Sequence, residues 1–356
     1  MNTVSDLFDR PRSELLKAAA GLGLELPPHL AQDELVAAIV TAMTTTDEPV
    51  MIEGALAILP EGFGFVRLAA AGYAETAVDA YVSPSQIRGL RLLRGHRVRG
   101  PVRAPRGEEQ YFALTKVESV GGRSLPELAD VTPFEARTAV DSGRAIGFGD
   151  EDRFAEIAER APWRFGHRVL IHTTPDRPAS GWLRRVGRAL AVANPAVDVT
   201  LCLLDQPPEE LAAAKLDGRA PNVTVAGAEF ATPPKRQANL ADLALHAAMR
   251  QVEQGKDAVL VLDSLTSLTR AYARSQPPSG AWIQPGVDAH AVLAAMRLFA
   301  AARDTLEGGS LTVVAAIDEG SSAFEQAIAS EFTPRSNCDV WPHQPERSRT
   351  RPASPQ

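Results

Sequence analysis

Phe63, Phe65 and Arg67 recur at every second position of Glu61-Gly62-Phe63-Gly64-Phe65-Val66-Arg67. In an extended strand that period puts all three side chains on one face. Two phenylalanines on a solvent-facing sheet are unfavourable unless something flat stacks on them. A nucleic-acid base does so, and each stacked base is worth about 1–3 kcal/mol. The interleaved glycines leave room for a base or a sugar–phosphate backbone to approach. Tyr81 and Tyr111 are candidates for the same surface from neighbouring strands. Burial in a barrel core is the competing reading for any single phenylalanine. The set stands beside a basic stretch, and that favours exposure. Between Tyr81 and Gly107 lie seven arginines (Arg88, Arg91, Arg94, Arg97, Arg99, Arg103, Arg106) and no acidic residue. The net charge of −7 argues against a protein that coats nucleic acid generally. Local sign outweighs total charge for a polyanionic partner.

A second chemistry is suggested and then spoiled further along the chain. A phosphate-binding loop needs glycines for a tight turn, free backbone N–H groups, a lysine for the β- and γ-phosphates and a Ser or Thr for magnesium. The apolar run Val169 to His172, followed by a helical stretch from Gly181, puts such a loop at Thr173-Thr174-Pro175-Asp176-Arg177-Pro178-Ala179-Ser180. Only Ser180 keeps its chemistry. The lysine position is Ala179, the preceding glycine is Pro178, and Asp176 sets a negative charge where phosphate would sit. A charge-assisted hydrogen bond is worth about 1.5–3 kcal/mol. Losing the lysine alone is therefore expected to weaken nucleotide binding on the order of tenfold to a hundredfold. Arg177, Arg184 or Arg185 could restore charge but not the loop shape.

The elements that must position these residues fall into successive textures. Residues 5–44 read as short helices, with Leu15, Leu16 and Ala19 at helical spacing after Ser13, and Leu35, Ile39 and Met43 after Gln32 and Asp33. Thr44 to Pro49 reads as a linker. Met51 to Leu59, Gly62 to Leu68, Val78 to Val82, His96 to Val102 and Tyr111 to Val120 are five strand candidates. Five strands in so short a stretch suit a small closed barrel, because closure removes the edges. Residues 121–165 read as a connector packed on the next domain. From Arg168 apolar strands (Val169 to His172, Val199 to Leu204, Val223 to Val225, Ala258 to Leu262, Leu311 to Ile317) alternate with helices at Gly181 to Ala193, Arg236 to Gln254 and Val287 to Thr305. That is the pattern of a parallel sheet covered on both faces. The tail after Trp341 is rich in Pro, Arg and Ser and is expected to be disordered.

Composition sets the frame. At 356 residues, 45% hydrophobic and 23% charged, the chain is expected to form two or three soluble domains. Cys202 and Cys338 have neither metal-ligand spacing nor a disulfide framework around them, so no metal site is expected. No signal peptide or apolar run of membrane-spanning length is present, so the expectation is a cytoplasmic protein without a membrane partner.

Three barrel segments, Glu61–Arg67 (E-G-F-G-F-V-R), Asp79–Arg88 (D-A-Y-V-S-P-S-Q-I-R) and Tyr111–Val117 (Y-F-A-L-T-K-V), resemble in order and spacing the RNA-binding domain of the bacterial transcription termination factor Rho family. Upstream, Leu7–Lys17 (L-F-D-R-P-R-S-E-L-L-K) is similar to that family's N-terminal helical domain. Downstream, Asp263–Tyr272, Ser279–Ala289 and Leu306–Val314 are similar to its ATPase domain. The chain looks like a divergent, truncated paralogue with a degenerate phosphate-binding loop. The resemblance implies a multidomain α+β and α/β fold. Its parts are a small helical domain (1–46), a five-stranded OB-fold, cold-shock-like barrel (50–120), a connector (121–165), a RecA-like parallel-sheet P-loop NTPase-type domain (166–340) and the tail (342–356).

The same resemblance implies RNA contacts at Phe63, Phe65, Arg67, Asp79, Tyr81, Arg88, Glu109 and Tyr111, with a preference for cytosine-rich single strands. A carboxylate can accept from the cytosine amino group, which gives Asp79 and Glu109 a role in base choice. Gln110 replaces the family's basic residue before the tyrosine, which removes some phosphate affinity. In the ATPase domain the catalytic glutamate position is Gln206, and general-base assistance is typically worth 10²–10⁴-fold. The following family arginine is Pro207. Asp263 matches the magnesium-side aspartate, although its plainer role is to cap the next helix. Ala281 and Ser322 stand where the family's central-channel loops carry lysines, and threading a polyanion needs those cations. Arg351 matches the arginine finger, provided that the tail folds.

The leading expectation is an RNA-binding, ATPase-deficient relative that acts in termination or its regulation, with no resident cofactor. An RNA-dependent ATPase and translocase using ATP and Mg, and a pure interaction protein that docks on Rho or the transcription machinery, are the alternatives. Oligomeric state stays open.

Overall fold

The computed structural model describes residues 3–27, 29–45, 48–128, 130–149, 152–174, 176 and 179–351. It divides into two compact units, Met1–Val131 and Thr132–Gln356.

The first unit opens with helices α1 (Val4–Phe8), α2 (Arg12–Gly21) and α3 (Gln32–Met43). Thr3 caps α1 reciprocally with Asp6. Helix α2 begins directly after Pro11, so Ser13 lies inside its first turn rather than at the cap. Leu15, Leu35 and Ile39 are buried in one core with Ile52, Leu56, Val66 and Leu68 of the barrel.

The barrel strands are β1 (Val50–Ile58), β2 (Gly64–Arg67), β3 (Ala80–Val82), β4 (Arg97–Arg103) and β5 (Phe112–Leu114), with helix α4 (Pro84–Gly89) after β3. They pair in the order β1-β2-β3-β5-β4, and β4 returns to β1, which closes the barrel. Closure depends on glycine at two crossings. A Cβ on Gly54 would lie 2.2 Å from the Arg67 carbonyl oxygen, and one on Gly100 would lie 1.9 Å from that of Lys116.

The fifth strand candidate is split. After β5 the chain bulges, with Thr115 N–H donating to Pro101 O and Glu118 N–H to Arg99 O, and resumes as β6 (Ser119–Val120). The sheet continues past residue 120 through β7 (Arg123–Ser124), followed by helix α5 (Leu125–Leu128).

In the second unit the strands and helices are β8 (Ala139–Val140), α6 (Asp152–Arg160), β9 (Arg168–Thr173), α7 (Ser180–Ala193), β10 (Asp198–Gln206), α8 (Pro208–Asp217), β11 (Val223–Glu229), α9 (Pro234–Val252), β12 (Asp257–Asp263) and α10 (Leu265–Ser275). A hairpin of β13 (Trp282–Gln284) and β14 (Val287–Asp288) follows, then α11 (Ala289–Ala300), β15 (Arg303–Thr305), β16 (Ser310–Asp318), α12 (Ala323–Phe332), β17 (Cys338–Val340) and β18 (Arg349–Thr350). The order β11-β10-β12-β16-β9-β17 is parallel throughout. Its central strands are buried on both faces, which is why they read as unbroken apolar runs.

The helix expected over 287–305 is shorter than expected. Asp288 caps α11, which stops at Ala300, and Arg303–Thr305 pairs antiparallel with β16 through the Gly308-Gly309 turn.

The tail expected to be disordered is ordered as far as Arg351. Strand β18 pairs with β17, and the Arg351 N–H donates to Asn337 O. Charge and stacking hold it. His172, at the end of β9 and buried, faces carboxylates on both sides, with Nδ1 2.7 Å from Glu319 and Nε2 3.1 Å from Asp339. Both ring nitrogens must then donate, which requires the imidazolium. Trp341 stacks on the ring at 4.1 Å, Arg347 and Arg349 lie over the other ring system, and Arg351 Nε donates to Asp339 at 2.7 Å. The composition that suggested disorder here supplies Arg349 and Arg351, the cations that the buried Asp339 needs. Residues 352–356 lie outside the described residues.

Burial opposes the charge on His172, but hydrogen bonds to Asp339 and Glu319 outweigh it and hold its pKa above the ordinary histidine value. The contribution of this contact is therefore complete below about pH 6.5 and is lost as pH rises through the raised value. Trp341 fluorescence, isolated by subtracting a Trp341→Phe variant, should change over that interval. His172→Ala should abolish the transition and expose 342–351 to protease. A pH-independent signal in both proteins would contradict this account of the tail.

Candidate nucleic-acid interface

One row of the barrel ladder organises the surface. Ala57 of β1 is opposite Phe65 of β2, Phe65 is opposite Tyr81 of β3, Tyr81 is opposite Ala113 of β5, and Ala113 is opposite Arg103 of β4. Residues directly opposite across neighbouring strands share a face. Phe65 and Tyr81 therefore stand side by side, flanked by two alanines that leave space. Phe63, in the turn before β2, and Tyr111, just before β5, close in on them. Ring centroids are 5.6 Å apart for Phe63–Tyr81, 5.8 Å for Phe63–Phe65 and 4.8 Å for Phe65–Tyr111. Phe63, Phe65 and Tyr81 are half-buried, and Tyr111 is 48% exposed. The aromatics form one outward cluster, distinct from the core side of the same strands, where Leu56 and Val66 are fully buried.

Arg67 follows Phe65 on the same face, as its spacing predicts, but its guanidinium is drawn inward. It is 8% exposed, donates to Glu75 at 3.0 Å, and has Nε 3.5 Å from Asp79. Asp79, 4% exposed, accepts from the Thr76 hydroxyl at 2.7 Å. Desolvation pushes its pKa from 3.8 up to about 6, against the hydrogen bond from Thr76 and the charge of Arg67. Arg88 sits exposed in the last turn of α4, a helix started by the reciprocal cap of Ser83 and Gln86 with Pro84 in the first turn.

Glu109 lies exposed in the loop between β4 and β5 and is gripped by Arg103. The hydrogen bonds from Arg103 and from the Arg106 N–H lower its pKa to about 2. Together Tyr81, Ala113, Arg103, Glu109, Tyr111 and Gln86 line much of a cavity of about 690 Å³. Arg103 and Gln86 were not singled out as site residues from sequence. Arg103 was visible only as one arginine among seven, and Gln86 only as part of a helix start.

The strand-end site of the second unit is arranged differently. Pro175, Arg177 and Pro178 lie outside the described residues. Ala179 and Ser180 start α7 and are buried, with no side-chain cap. Gln206, ending β10, donates to Asp263 at 3.2 Å and to Leu204 O at 2.9 Å. Asp263, ending β12, also accepts from Ser180, and burial, its largest influence, pushes its pKa to about 7. These three side chains, which the sequence reading placed at a nucleotide site, are thus bonded to one another.

Arg184 cannot serve phosphate in this arrangement, because it is paired with Asp217 at 2.6 Å and Glu210 at 3.3 Å, whereas Arg185 is exposed. Ser322 caps α12 through Glu325 N–H, and Ala281 precedes the β13–β14 hairpin, whose Trp282 is exposed. Arg351 is held by Asp339 of its own chain. Among the described residues no cluster of His, Cys, Asp and Glu could hold a metal ion, and no helix is long and apolar enough to cross a membrane.

A family model described as "Rho termination factor, RNA-binding domain" matches residues 52–126. The chain is similar to the "Transcription termination factor Rho" of Haemophilus influenzae, with 35% identity over 346 residues, covering 95% of this chain and 81% of that protein. The protein of the same name from Escherichia coli K12 is 34% identical over the same coverage. Among solved structures, an ATPase from the type III secretion system of pathogenic bacteria aligns with a TM-score of 0.50 at 16% identity, covering 70% of this chain and 72% of that one. That likeness concerns fold alone and fits a P-loop ATPase-like α/β domain. With a barrel that matches the family's RNA-binding domain and identity that runs along nearly all of its length, the chain belongs to the Rho family of transcription termination factors.

Proposed function

We propose that this protein binds single-stranded, cytosine-rich RNA through its barrel, acts in transcription termination or its regulation, and does not hydrolyse ATP. The observation that carries the reading is a contrast. The barrel keeps a four-ring aromatic surface with one placed, exposed carboxylate, Glu109, and an exposed arginine, Arg88. The strand-end site has lost its lysine at Ala179 and its general base at Gln206, and its remaining polar groups bond one another. Bases stack on Phe65 and Tyr111, Arg88 meets phosphate, and the carboxylate of Glu109 accepts from the cytosine amino group, which uracil lacks. Arg351, spent on Asp339, is not free to complete a nucleotide site on a neighbouring subunit, which supports the same conclusion. A working ATP-dependent RNA translocase is the second reading, favoured by the retained Ser180 and Asp263.

Calorimetry of the whole chain separates the two. A short cytosine-rich RNA should bind, and Mg–ATP should give no heat at concentrations that saturate an ordinary ATPase. Tight ATP binding, or RNA-stimulated phosphate release, would favour the translocase. Phe65→Ala and Tyr111→Ala should each weaken RNA binding on the order of tenfold to a hundredfold, following the loss of one stacked base. Unchanged affinity in both would remove the barrel from the mechanism.

Asp79 adds a pH dependence. Its carboxyl is buried beside Arg67, so its titration acts on stability. The folded value lies above the unfolded 3.8, so the native state binds the extra proton and stability falls as pH rises from about 4 to about 6. Asp79→Asn should therefore raise Tm at pH 7 and flatten the fall of Tm between about pH 4 and pH 6. A variant that is less stable than the parent at pH 7 would argue against a buried, strained carboxylate.

A further inference from the structure

We propose that Arg103 is a positioning residue that aims Glu109 at one hydrogen-bond donor of an amino-bearing base; this rests on the RNA-binding reading above. Glu109 is exposed on a loop, and a free glutamate there would sample many rotamers. Three donors remove that freedom. Arg103 Nη1 donates to Oε2 at 2.5 Å and Nη2 to Oε1 at 2.8 Å, a two-pronged grip that fixes the plane of the carboxylate. The Arg106 N–H donates to Oε2 at 3.0 Å, and the Glu109 N–H returns a hydrogen bond to Arg106 O, which closes the loop on itself. Arg103 is itself anchored, since it ends β4 opposite Ala113 in the row that carries Tyr81 and Phe65, and its Nη1 also reaches Ala104 O at 3.1 Å.

A carboxylate offers about four lone-pair directions. Oε2 uses two of them, on Arg103 and Arg106, and Oε1 uses one, on Arg103. One acceptor direction is left. Both residues line the cavity beside Tyr81 and Tyr111, where a stacked base would sit. A single fixed acceptor takes an exocyclic amino proton, as on cytosine, and repels the carbonyl that uracil carries at the same place. Arg103 thus acts through Glu109, with its own charge neutralised.

The test measures binding of the full chain to oligocytidine and oligouridine of equal length by fluorescence anisotropy, over a series of salt concentrations. Arg103→Gln should lower affinity for oligocytidine on the order of tenfold without lowering that for oligouridine. The salt slope should also stay the same. Glu109→Gln should do likewise, and the double variant should lose nothing further, because the two act as one unit. Arg103→Lys, with a single-point donor, should restore discrimination only in part.

Equal losses for both oligonucleotides in Arg103→Gln, with a salt slope reduced by about one, would overturn the inference and make Arg103 a phosphate contact. Full discrimination in Arg103→Gln would overturn it as well. If the parent chain binds neither oligonucleotide, the RNA-binding reading itself fails. Because the pair lies at the surface and is partly solvent-exposed, the variants should unfold at nearly the same temperature as the parent, and a clearly lowered Tm would identify the pair as structural.

Discussion

The row Ala57–Phe65–Tyr81–Ala113–Arg103 is the constraint from which the interface follows. Strand pairing in a closed barrel leaves no freedom of register, since slipping one strand by a single residue would send its core side chains outward and its aromatic residues inward. Leu56 and Val66, fully buried beside this row, make such a slip costly, and so hold Phe65 and Tyr81 on the outer face. The two alanines matter as much as the rings. A large side chain at Ala113 would fill the space between Tyr81 and Arg103. Closure in turn requires that Gly54 and Gly100 stay without a Cβ where carbonyls of Arg67 and Lys116 press on them. Geometry of the face is thus decided by the core behind it.

The second unit shows how a fold can stand independently of what its strand ends carry. Its parallel strands are held by buried apolar side chains and ladder hydrogen bonds, none of which depends on what the strand ends carry. The residues at those ends must still satisfy their polar groups, because an unpaired buried donor or acceptor is costly. Gln206, Ser180 and Asp263 do so among themselves. A second set does so around His172, where Glu319, Asp339 and Arg351 balance charge under the Trp341 ring. In both places groups that a phosphate or a cation could have engaged are engaged by neighbours in the chain.

Much of this was legible from residue order. Alternation at Phe63, Phe65 and Arg67 marked a strand with an outward face, and five short strands marked a closed barrel, because period and turn chemistry are local properties of the chain. Unbroken apolar runs from Val169 onward marked the covered parallel sheet for the same reason. Identity at Ala179 and Gln206 was enough to question the nucleotide chemistry, since neither side chain carries the amine or the carboxylate that the resemblance expects there.

Tertiary structure decided what those groups meet. Arg67 and Asp79 read as contacts awaiting a ligand, yet each is buried against the other, and only the packing of the Glu75–Asp79 loop brings that about. The grip of Arg103 on Glu109 arises because the β4–β5 loop folds back on the strand end, a matter of side-chain geometry that spacing does not encode. Composition misled in the tail for a related reason. A Pro-, Arg- and Ser-rich segment has too little apolar surface to order itself, but Asp339 and His172 are supplied by strands brought beside it by the sheet. The chain by itself determined which elements form and which side chains stand at the strand ends. The long-range contacts, whose partners are set by packing rather than by sequence distance, decided which charges are free to act.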